Sequence, residues 1–79
     1  MTMTTHRAAD PNHPQYVAGR AAATRTLDRG MLSLVDMLTA WRMVADTAHN
    51  REDVSRFHYA QGQVDAFEDF QADRSRRKP

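Results

Sequence analysis

Seventy-nine residues allow one domain at most, near the lower limit at which an apolar core stands unaided. The absence of Cys excludes disulfides and thiolate zinc sites, so association with other chains is the remaining route to added stability. The formal charge of +1 hides a division, since residues 51–73 set two Arg against six acids and the tail reverses sign at Arg74, Arg76, Arg77 and Lys78.

In chain order, residues 1–12 are Thr-rich without periodicity and read as a flexible N-terminal arm. They hold no apolar run of the kind a secretory signal needs, and no stretch of the chain approaches the ~20 apolar residues of a membrane span. The expected setting is cytoplasmic or virion-associated. His13-Pro14 marks a boundary, because a proline pushes the residue before it out of helical space and itself suits the first helical position.

From Tyr16 to Ala48 the apolar residues keep helical spacing, with Leu27, Met31, Leu34, Leu38, Trp41, Ala45 and Ala48 three and four apart. This predicts one long helix over about 14–48. Gly30 could break it into two collinear pieces, since glycine costs ~1 kcal/mol in a helix interior. Asn50-Arg51-Glu52-Asp53 then supplies a cap and early acids for a second helix over about 51–74. So short a connection folds the two helices antiparallel. The expected fold is all-α: an αα-hairpin across 13–74, with a basic tail at 75–79. Its core would hold Leu27, Leu34, Leu38, Trp41, Phe57, Val64 and Phe67. Counting outward from the turn sets Phe57 near Trp41, Val64 near Val35, and Gly62 opposite Met37.

At 1.5 Å per residue the first helix outruns the second, leaving Val17 to Thr26 as an uncovered overhang. Its small residues would let another helix approach, so Tyr16, Val17 and Ala21 are expected to bind a partner. Leu32 and Met43, eleven residues apart, project together on the far side and join that set. The tail residues Arg74, Arg76, Arg77 and Lys78 are candidates for phosphate contacts without base readout. Against this, a solvated terminus is the ordinary fate of such a tail, and Ala is simply a good helix former.

Catalytic patterns are missing. The sequence holds no HExxH, GxxxxGK or GxSxG, and His49 and His58 stand nine residues apart. No cofactor, metal or small-molecule substrate is expected, and His49 is read as a helix-terminating residue.

The run Tyr59-x-x-Gly62-Gln63-x-Asp65-Ala66-Phe67 resembles the second helix of small helical-hairpin proteins of tailed bacteriophages. The resemblance spans some 15 of 79 residues and implies an accessory or morphogenesis role in the virion. The expected function is therefore a non-enzymatic structural protein that oligomerises or docks on a larger protein. The alternative is a small regulator, binding nucleic acid through the tail or inhibiting a host protein.

Overall fold

A computed structural model describes residues 9–30 and 33–76. They form three helices, α1 (Pro14–Asp28), α2 (Leu34–Asn50) and α3 (Val54–Arg76). Both α1 and α2 pack on α3, and their backbones stay apart from each other. The all-α class is as expected. The two-helix hairpin is corrected to a three-helix arrangement in which α3 is the shared partner.

The long first helix fails at a cap. Gly30 has φ +80°, which a glycine adopts without steric cost, and its amide donates to the Leu27 carbonyl over 3.1 Å. Three residues on, Ser33 takes extended backbone and its Oγ accepts the Asp36 amide at 3.2 Å. A stop followed by a fresh start turns the chain, and the run of 3–4 spacing continues on a different helix. Local hydrogen bonding therefore decides here against unbroken periodicity.

The second turn is also longer than expected. Asn50 is the last residue of α2 and not a cap. The Asp53 amide reaches the Ala48 carbonyl, and the Glu52 amide the His49 carbonyl, with Glu52 at φ 58°. This is a Schellman ending with glutamate in the position where glycine is commonest. Asp53 then caps α3, its Oδ1 accepting the Arg56 amide at 3.2 Å. The extra residues in the turn shift the α2–α3 register. Trp41 meets Tyr59 edge-on, with ring centroids 5.7 Å apart, while Ala45 and Ala48 pack with Phe57. Leu38 replaces Val35 beside Val64.

The direction of α1 follows from its partners. The Tyr16 hydroxyl donates to Asp65 and Arg20 donates to Asp69 at 2.7 Å, four residues further along both helices. So α1 runs parallel to α3, whereas α2 returns antiparallel. The segment expected to overhang is therefore covered, with Tyr16, Gly19 and Ala23 buried.

One core cluster joins Ala23, Leu38, Val64, Ala66 and Phe67, and draws in Leu27, Leu34 and Trp41 from its edge. A second gathers Ala45, Ala48, Phe57 and Ala60. Of the seven expected core residues, Leu38, Phe57, Val64 and Phe67 are buried, while Leu27, Leu34 and Trp41 are half-buried.

Part of the expected arm is also held. Ala9 packs on the second cluster, and the Asp10 amide donates to His58 Nε2 at 3.1 Å. Residues 1–8 lie outside the described residues. Of the expected tail, Ser75 and Arg76 complete the last turn of α3.

Candidate functional site

The seam between α1 and α3 carries most of the polar chemistry. Gly19 and Gly62 face each other across it: a Cβ on Gly19 would fall on the Tyr59 carbonyl, and one on Gly62 on the Tyr16 carbonyl. With no side chain at either position the two backbones come together. That approach buries the Tyr16 ring, 8% exposed, and brings its hydroxyl to Asp65, which also accepts from Gln61 at 2.8 Å. Tyr16 is thus corrected from a partner-binding residue to an internal one, because its apolar ring and its hydroxyl are both satisfied within the chain.

Burial first, and then the hydrogen bond to Asp65, push the Tyr16 phenol above its ordinary value, against a smaller pull from Arg20. A group raised on folding contributes its full stabilisation below its unfolded value, near 10, and loses it as pH climbs through the folded value. Thermal melts between pH 8 and 11 are expected to show a steeper alkaline fall in Tm for the wild type than for Tyr16→Phe. At neutral pH that variant loses only the net worth of one hydrogen bond, ~1 kcal/mol. Parallel alkaline slopes for the two proteins would rule out this role for the phenol.

The exposed ridge of α3 is tied to both neighbours by ion pairs. Arg20 of α1 meets Asp69, and Arg42 of α2 meets Glu68 at 2.5 Å. These pairs lie in solvent and are worth little individually. They nevertheless account for two of the acids on α3, so the acidic second half of the sequence is not a free anionic surface.

Three imidazoles cluster near the α2–α3 elbow. His58 is buried, its Nδ1–H donating to the Val54 carbonyl at 2.8 Å while Nε2 accepts from Asp10. Both ring nitrogens of His58 are thus engaged by backbone groups. His13 stacks on it with centroids 4.0 Å apart, and its Nδ1 caps α1 by accepting the Gln15 amide at 3.1 Å. His49 lies in the last turn of α2 and meets Phe57 edge-on. A shallow cavity of about 470 Å³ opens here, lined by Ala48, His49, Glu52, Asp53, Phe57 and His58. Among the described residues no group of His and carboxylates is placed to hold a metal ion. None of their helices is long and apolar enough to cross a membrane.

Among the exposed polar and charged residues, apolar side chains also face outward on all three helices, Val54 and Phe70 of α3 among them. Val17 on α1 is 55% exposed, and Val35 and Met43 on α2 are each 64% exposed. Ala21 is exposed on the same side of α1 as Val17. Of the residues expected to bind a partner, Val17, Ala21 and Met43 therefore stand on outer faces. Leu32 lies outside the described residues. Val35, assigned inward by the shorter turn, is the residue that sequence reasoning missed.

No protein-family model matches the chain, and no curated protein or solved structure matches it either. The reading of function therefore rests on the molecule's own surface. At the basic end, the Arg74 guanidinium lies 5.7 Å from the Phe70 ring centroid and Arg76 lies 3.8 Å from Asp73. Arg77 and Lys78 lie outside the described residues.

Proposed function

We propose that this chain is a non-enzymatic interaction protein, which oligomerises or docks on a larger protein through the outer faces of α1 and α2. The observation that carries the reading is the placement of Val17, Val35 and Met43. Each is more than half exposed on a helix whose inner face is already packed on α3. Apolar side chains on both flanks of so small a fold are the kind of surface that another protein covers. The polar groups support the same reading from the other side. The Tyr16, His13 and His58 groups are engaged in holding the chain together.

A setting in a tailed-phage particle is part of the proposal and has a narrower basis, the run Tyr59 to Phe67. Within it, Gly62 and Asp65 form the α1–α3 seam, and Val64 and Phe67 are core. The run therefore speaks for how α3 is built and not for which surface binds. The regulator reading, through the tail, is the lesser one, since Arg74 and Arg76 each already contact a side chain of α3.

Sedimentation from about 1 µM to about 1 mM tests the reading, with the double variant Val35→Asn, Met43→Gln as control. The expected result is a mass that rises with concentration in the wild type and stays monomeric in the variant, at similar helicity. A wild type that is monomeric throughout, and no less soluble than the variant, would count against any apolar interface on α2.

A further inference from the structure

The outer faces of α1 and α2 each carry exposed apolar residues beside exposed acids, Asp28 and Asp46, and the two faces have charges of opposite sign, Arg25 and Asp36, at one edge. On α1, Val17, Ala21 and Arg25 follow one another at steps of four along the exposed side. On α2, Val35, Thr39 and Met43 do the same, with Asp36 on the flank. Among the described residues neither the Arg25 guanidinium nor the Asp36 carboxylate has an ion-pair partner. We infer that a second copy of this chain covers these faces, the α1 face of one molecule seating antiparallel on the α2 face of the next.

The spacing allows it. With Ala21 set against Thr39 of the neighbour, Val17 comes level with Met43 and Arg25 with Val35, within one residue, about 1.5 Å, of Asp36. The two intervals are eight and seven residues, about 12 Å and about 10 Å of helix. In an antiparallel pair, residues displaced to the same side of the centre line lie on the same flank. Arg25 and Asp36 are displaced in that way, so they meet at one edge of the contact. The small side chain of Ala21 leaves room at the centre, between the larger Val17 and Val35. Helix direction fits as well. Because α1 runs with α3 and α2 against it, molecules laid side by side in one orientation present α1 antiparallel to the preceding α2. The contact is head-to-tail and joins two different surfaces, so it propagates into a ring or a filament and does not stop at a two-fold dimer.

This inference rests on reading the outer faces as an interface, and a mixing experiment separates the two. Ala21→Glu blocks the α1 face and Met43→Glu the α2 face, both at exposed positions where the fold is indifferent. Sedimentation should show wild-type species larger than a dimer and monomers for each variant alone. An equimolar mixture of the two variants should give a one-to-one dimer that grows no further. Arg25→Glu should weaken assembly about fivefold, and adding chains that carry Asp36→Arg should recover that loss. A wild type that assembles while the mixture stays monomeric overturns the head-to-tail contact and leaves an interface of another symmetry. A wild type that stays monomeric at millimolar concentration also overturns it, and the covering partner must then be a different protein.

Discussion

Alanine at Gly62 is expected to destabilise the fold by about 2 kcal/mol, against the direction that helix propensity gives. In an exposed helix the change would add ~1 kcal/mol of stability, because glycine has the greater backbone freedom to lose. Here the new Cβ meets the Tyr16 carbonyl and then the Arg20 amide nitrogen at 3.1 Å. Both are backbone atoms in the first two turns of α1, so no flexible side chain can swing aside. Either α1 moves away from α3 or the helix bends, and forced overpacking of this kind costs ~1–3 kcal/mol, occasionally more. The withdrawal also lengthens the Tyr16–Asp65 hydrogen bond and uncovers Ala23, which adds to the loss. For a domain of this size the net change should lower Tm by roughly 8–16 °C, read by circular dichroism. Gly19→Ala should behave alike, its Cβ directed at the Tyr59 carbonyl. The double variant should cost less than the sum, because the first substitution already opens the shared seam. A rise in Tm for either single variant would show that α1 does not lie this close to α3.

The seam explains why part of the fold was legible from the sequence and part was not. The helix spanning 51–74 and the break at Pro14 follow from apolar spacing and proline chemistry, and both stand within three residues. The first helix was misjudged because the periodicity from Leu27 to Ala48 does not register a turn. The decisive residues are Gly30, needed for a positive φ, and Ser33 with Asp36, the start of a new helix. Once α1 is separate it can fold back, and the alanine-rich stretch read as overhang becomes a packing face. Its pairing with α3 relies on two glycines 43 residues apart in sequence, and helical spacing carries no trace of that relation. The candidate surface was affected by the same error. An overhanging α1 leaves Tyr16 without a neighbour, and apolar spacing alone widens the α2 seam to include Val35, which the fold leaves 64% exposed. Val17, Ala21 and Met43 are exposed because their side of each helix faces away from α3.

Phe67→Ala is expected to cost ~3–5 kcal/mol, the largest effect of any single truncation. Phe67 is fully buried and is the largest side chain among the described residues of which that is true. Its cluster contains Ala23 from α1 and Leu38 from α2, so one ring supports contacts to both flanking helices. Alanine leaves a cavity that small neighbours such as Ala23 and Ala66 cannot fill. A domain of this length holds roughly 4–12 kcal/mol in all, so the variant should lose about a quarter of it or more, read as a fall in the urea midpoint at unchanged m. Trp41→Ala should cost less despite the larger ring, because Trp41 is only half-buried at the edge of both clusters. Met43→Ala should change the monomer's stability by under ~0.5 kcal/mol, since that side chain is mostly in solvent. The contrast between Phe67 and Met43 separates apolar side chains that hold the helices together from those that face outward. A loss below about 1 kcal/mol for Phe67→Ala would mean that the core does not lie between α3 and its two flanking helices.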